Sequence, residues 1–215
     1  MKHLFVFVTV LFSLLLFSSC NKDEDPSPQK TKLSHLPLKT GNYWVYEHFK
    51  IDNFGNEEKL TTIDSVVITR DTIINDMKYY VVEGNYIDKR FRILDILRDS
   101  SGYLVNDKGQ IKFSEDNFSD ILLVQNTTFG DSTYATVYYK MEKQDDPITV
   151  PAGTFNDILN YKGTAKFYGN NDPFYKDKNT YYAKDVGIIL DTYYWISKAK
   201  KYKYERRLVR YHISD

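Results

Sequence analysis

Beyond about residue 36 the chain breaks into short runs in which apolar and polar side chains alternate, with Gly, Asn and Asp between the runs. A repeat of two is the signature of a strand with one buried face. Residues 41–50 form the first such run, with Tyr43, Val45 and Glu47 on one face and Trp44, Tyr46 and His48 on the other. Asp52-Asn53-Phe54-Gly55-Asn56 is its turn, and residues 60–70 and 78–86 follow as the second and third strands. In residues 91–98 the apolar spacing fits a helix or a strand. It is read as a strand because residues 102–105 and 110–113 continue as hairpins around Asn106-Asp107-Lys108-Gly109. Residues 121–124, 133–143, 157–168, 179–183, 187–195 and 201–212 complete the series. No long segment repeats every 3.6 residues between helix caps. Ten or so antiparallel strands must curl, close or stack to hide their edges. The expectation is an all-β fold with few helices, a barrel or half-barrel, with a β-sandwich as the alternative, built from one domain over residues 36–215.

The first residues follow another pattern. After Met1, Lys2 and His3 comes an apolar run from Leu4 to Phe17, broken only by Thr9 and Ser13, and then Ser18, Ser19 and Cys20. A charged start, an apolar stretch and small residues are the layout of a secretory signal. The run is shorter than the roughly 20 residues of a membrane-spanning helix. Phe17-Ser18-Ser19-Cys20 resembles the lipobox of bacterial lipoproteins, although that family prefers Leu where Phe17 stands. The resemblance implies cleavage before Cys20, lipidation of its thiol and acylation of the new amino terminus. Several acyl chains give stable membrane anchoring, whereas one gives only marginal binding. Residues 1–19 are thus expected to be a signal peptide and residues 20–35 a lipidated tether. Asn21 to Pro28, with three acids, two prolines and no apolar side chain, is a spacer that cannot fold alone. Its opening resembles the Lys-plus-acids export signal of Bacteroidota surface lipoproteins. That resemblance implies an outer-membrane lipoprotein facing the medium; the alternative faces the periplasm.

Composition changes the picture in three ways. Lys and Arg number 29 and so do Asp and Glu, so the chain has no basic excess and nucleic acid is not an expected partner. One Cys excludes an intramolecular disulfide and a Cys-based zinc cluster. Aromatic residues make up 16% of the chain. After removal of residues 1–19, nineteen Tyr stand against nine Phe, so many rings keep a polar end near water.

Three stretches of the mature chain resemble a recurring pattern in uncharacterised Bacteroidota lipoproteins: Leu38 to Tyr46 (LKTGNYWVY), Val150 to Phe155 (VPAGTF) and Tyr181 to Ile189 (YYAKDVGII). The resemblance implies an exported β-rich domain and no established reaction. Each motif also has a physical reading. Pro151 and Gly153 suit a tight corner before a strand, with Phe155 plugging the core beside it. Val186-Gly187 suits a strand start that backbone or an aromatic ring approaches closely. Trp44 and Trp195 read as core anchors.

Chemistry is sparse. The mature chain holds His35, His48 and His212, no two of them four apart, and no HExxH, so no zinc-ligand set is visible. No GxSxG elbow supports a serine nucleophile. The loop acids Asp71, Asp145, Asp146 and Asp172 lack EF-hand spacing and read as solvated turn residues. Neither a cofactor nor a metal is expected. Residues 198–210 carry seven bases against Glu205, with Tyr202 and Tyr204 interleaved. This run reads as an edge strand kept soluble by its charges, or as a contact for anionic glycan or lipid. The candidate ligand contacts are Trp44, Trp195, Tyr202, Tyr204, Lys203 and Arg206, beside the lipidation site Cys20. The expected role is a membrane-anchored binding or structural module, with glycan, lipid or protein as its ligand. The alternatives are a surface glycan-directed hydrolase and a half-barrel carrier of an apolar molecule. A deep apolar cavity would favour the carrier, and a flat row of exposed aromatics a glycan site.

Overall fold

Alternation becomes strands almost everywhere it was read. The structure, a computed structural model, describes residues 32–85, 92–168 and 173–214. Six strands form a first antiparallel meander: β1 (Tyr43–Asp52), β2 (Glu57–Ile74), β3 (Met77–Gly84), β4 (Arg92–Ser100), β5 (Tyr103–Asn106) and β6 (Ile111–Ser114). The second meander contains β7 (Leu123–Phe129) and β8 (Ser132–Gln144). After a separate small hairpin of β9 (Ile148–Val150) and β10 (Gly153–Phe155), it continues through β11 (Ile158–Phe167), β12 (Phe174–Ala183), β13 (Gly187–Tyr193) and β14 (Tyr202–His212). β14 pairs with β1 over its whole length and joins the two meanders into one 12-stranded sheet, β6-β5-β4-β3-β2-β1-β14-β13-β12-β11-β8-β7. The sheet curls until it nearly closes into a barrel. Across the remaining gap, the Tyr161 hydroxyl on β11 donates to the Ile111 carbonyl of β6 at 2.9 Å. The half-barrel expectation holds, and the only helical element among the described residues is a single 3₁₀ turn, Ile196–Lys198.

Two readings change, and one is extended. Pro151-Ala152 turns tightly ahead of the strand Gly153–Phe155, as expected, and β9 before it makes residues 148–155 a complete hairpin. Its Ala152 amide donates to the Leu208 carbonyl of β14 at 3.0 Å, and Phe155 packs against the core. Trp195 is 46% exposed beyond the end of β13, so it is no core anchor. β14 is not an edge. It lies mid-sheet because β1 satisfies one side of its backbone and β13 the other. Residue 86, at the end of the expected third strand, and residue 91, at the start of the fourth, lie outside the described residues.

The two faces of β1 divide as the alternation requires: Trp44, Tyr46 and His48 are buried, whereas Tyr43 is 38% exposed. Each buried ring keeps its polar atom bonded. Trp44 Nε1–H donates to the Val186 carbonyl at 2.7 Å, and the Tyr46 hydroxyl to the Ile188 carbonyl at 2.9 Å. Gly187 sits under the indole at φ +106°, where a Cβ would meet Trp44 Nε1 and Leu36 Cδ1 at 3.1 Å each. The first and third motifs therefore fit into each other, and glycine is needed for both backbone and space.

Residues 33–38 close the end of the barrel at which β1 starts. The Glu115 carboxylate after β6 accepts from the Ser34 amide at 2.5 Å and the His35 amide at 2.8 Å, and lies 2.7 Å from His35 Nδ1. His35 Nε2 lies 3.1 Å from the Asp157 carbonyl. Leu33 N–H donates to Asp99, and the Asp185 amide donates to the Ser34 carbonyl. Leu33 and Leu36 are buried by this closure.

Candidate ligand-binding cavity

Curling the sheet leaves a cavity of about 460 Å³ inside it, within the range of small-molecule sites. One wall is apolar, from Leu36, Val66, Val82, Leu97, Leu104 and Ile188. Tyr139, Tyr161 and Tyr182 form an aromatic side. Burial pushes the hydroxyls of Tyr161 and Tyr182 well above the usual tyrosine range, so both stay neutral. Tyr139 and Tyr161 stack with centroids 4.8 Å apart. Gly163 permits the stack, because a Cβ there would lie 2.8 Å from both Tyr139 Cε1 and Val137 Cγ1.

The third side is polar and is set by register. Thr180 on β12 opposes Asp191 on β13, Asp191 opposes Arg206 on β14, and Arg206 opposes His48 on β1. Asp64 on β2 extends this interior belt to a fifth adjacent strand. A bulge at Ile189 allows it. The register shifts there, so Ile188 and Asp191 both line the cavity despite their odd spacing. Within the belt Thr180 Oγ1 donates to Asp191 at 2.8 Å, and Arg206 Nη1 donates to Asp64 at 3.3 Å. His48 Nε2 lies 3.0 Å from Asp64 Oδ1, and His48 Nδ1 lies 2.9 Å from the Tyr193 hydroxyl. The Arg206 guanidinium also covers the Tyr46 ring at 4.1 Å. Burial, then the Asp64 charge, pushes the Tyr193 hydroxyl up to about 12, so it stays neutral beside the imidazole.

Two residues from Thr180 on the same face of β12, Lys178 enters the cavity. Its ammonium donates to the Tyr139 hydroxyl at 3.4 Å. Burial works against the charge, but the Asp191 carboxylate and Tyr139 outweigh it and hold the Lys178 pKa above the ordinary lysine value. Nearer the gap, Arg92, Asp95 and Lys112 complete the charged lining. Burial raises the Asp95 pKa, with Lys112 acting in the opposite sense.

The residues singled out from the sequence fall into different places. Arg206 lies inside, on the cavity. Trp44 is a core anchor, and Tyr204 is buried against Tyr193 with centroids 5.3 Å apart. Lys203 points outward into an ion pair with Glu205 at 2.7 Å. Tyr202 lies under the Lys50 ammonium at 5.1 Å, and Trp195 meets the edge of Tyr193 at the surface. Cys20 lies outside the described residues. Sequence reasoning passed over Lys178, Thr180, Asp191, Asp95 and Lys112. The available signal was a charge at an inward position of an apolar run, such as Asp191 in GIILDTY.

Two histidine sites resemble relays only in composition. Ser34 Oγ lies 3.2 Å from His35 Nδ1, the same nitrogen that meets Glu115, so serine and acid do not sit on opposite ring nitrogens as a nucleophilic triad requires. His48 and Asp64 are both fully buried. Among the described residues, no three His, Cys, Asp or Glu side chains gather as metal ligands.

No family model and no curated protein matches the chain. Two solved structures are similar to it. One is an inferred lipoprotein of Parabacteroides distasonis ATCC 8503, with 13% identity and a TM-score of 0.47, covering 86% of this chain and 100% of that one. The other is an inferred exported protein with a YmcC-like fold from Bacteroides fragilis NCTC 9343, with 13% identity and a TM-score of 0.47, covering 84% of this chain and 99% of that one.

Proposed function

We propose that this chain is an exported lipoprotein, anchored through Cys20, whose half-barrel binds a small molecule with an apolar body. The cavity carries the reading. An interior of about 460 Å³ between apolar and tyrosine walls is more space than a core packed for stability alone leaves open. The anchor rests on the signal-like start and the lipobox-like Phe17 to Cys20. The described chain begins beside the end of the barrel closed by residues 33–38, so an anchor at Cys20 would put that end towards the membrane.

The test uses N-phenyl-1-naphthylamine, an uncharged apolar fluorophore. The purified domain should enhance its emission saturably at micromolar concentration. Val66→Phe, which fills part of the apolar wall, should weaken that binding at least fivefold. No enhancement with the native domain, or equal enhancement with Val66→Phe, would mean that the cavity is not a binding site.

A further inference from the structure

The polar side of the cavity says more about the ligand than its size does. Four cations, Arg92, Lys112, Lys178 and Arg206, line it against two carboxylates, Asp95 and Asp191. Within the inner belt most charges are already engaged. Asp191 accepts from Thr180, and Arg206 is held by Asp64 and lies on Tyr46. Lys178 differs. Its ammonium has three donors; the Asp191 carboxylate acts on it from a distance, but its direct contacts are one long hydrogen bond to the Tyr139 hydroxyl at 3.4 Å and a place 5.7 Å from the centre of that ring. No carboxylate among the described residues lies within 4 Å of it. It faces the cavity beside Thr180 and Tyr182, with the apolar wall of Leu36, Val66, Val82 and Leu104 bordering the same space. A cation with spare donors, set where an apolar tail could lie alongside, matches a molecule with one anionic end.

Resting on the reading of the cavity as a binding site, we propose that its ligand is a single-chain anionic amphiphile. Its carboxylate or phosphate is held by Lys178, and its chain lies on the apolar wall. A charge-assisted hydrogen bond in a water-poor site is the strong kind, and the neutral end of an alcohol cannot replace it.

The experiment displaces N-phenyl-1-naphthylamine from the native domain with decanoate, decyl phosphate, decanol and decylamine. The two anions should displace it with affinities about tenfold above decanol, and decylamine should be weakest. Whichever anion binds tighter identifies the head group. Lys178→Gln should bring decanoate down to the level of decanol while the fluorophore still binds, and Lys178→Arg should keep the preference. Equal binding of decanol and decanoate to the native domain, or preference for the amine, overturns the head-group assignment and leaves the cavity standing. Retained anion preference in Lys178→Gln overturns the role of Lys178. Failure of the native domain to bind the fluorophore overturns the underlying reading instead. The native head-group series decides the ligand class even if Lys178→Gln does not fold.

Discussion

At the scale of single residues, the most consequential contact is that of Arg206 with Asp64. Both side chains are removed from water, and Asp64 is further held by His48. Removing one partner of a buried ion pair leaves the other charge uncompensated, which costs about 3–5 kcal/mol. Asp64→Ala should therefore lower the unfolding free energy obtained from urea titration by an amount in that range. Adding Arg206→Met should recover part of the loss, because it removes the stranded charge and fills the space. If the double variant is as unstable as the sum of the two single ones, the pair is not coupled as the distances imply. The outward charges of the same strand behave differently. Arg207 reaches Glu57 at the surface, and such a pair contributes under about 1 kcal/mol; Glu205, which is buried, is shared by Arg207 and Lys203.

At the scale of elements, the segment ahead of β1 holds one end of the barrel shut through the side chain of Glu115. Burial alone would raise the pKa of this carboxyl. The His35 ring and the Ser34 and His35 amides outweigh burial and hold it below the ordinary 4.5. The folded carboxyl thus binds a proton less readily than the unfolded one. The sign follows: its contribution is complete above about pH 4.5 and is lost as pH falls through the lower folded value. The groups facing it are His35 and, beyond the ring, Asp157. Hydrogen-exchange protection of the Ser34 and His35 amides should be flat near neutrality and decline in acid. Glu115→Gln should reduce protection at pH 7 about tenfold and flatten the acid dependence. Unchanged protection in that variant would show that other contacts hold the segment.

At the scale of the whole molecule, two meanders meet where β1 pairs with β14, so the chain begins and ends its sheet in the middle and leaves β6 and β7 to face each other across the gap. Residues 33–38 lie at the closed end, away from the hairpin of residues 52–57 and the turn between β7 and β8. Full-length protein expressed in a Gram-negative host should partition with membranes and carry acyl chains on Cys20. Cys20→Ala should remain unacylated and leave the membrane fraction. Retention of the Ala variant on membranes would show that something other than the lipid holds it.

Local physics determined much of this protein before any tertiary contact was considered. A repeat of two, with Gly, Asn and Asp at the turns, located most of the strands and divided β1 into its two faces. A glycine ahead of an apolar strand foretold a close approach by backbone or a ring, which proved to be the Trp44 ring on Gly187. These features depend on neighbours within a few residues, which is why they are legible. The place of β14, the bulge at Ile189 and the belt from Thr180 to Asp64 depend on which strand pairs with which and in what register. Arg206 and Asp64 are 142 residues apart in the chain and meet only because β14, β1 and β2 are adjacent. The run of bases around Arg206 looked uniform, and only curling the sheet divided it into one cation turned inward and others left to the surface. The cavity is of the same kind: no single strand carries it, because it is the space that remains once the sheet has nearly closed.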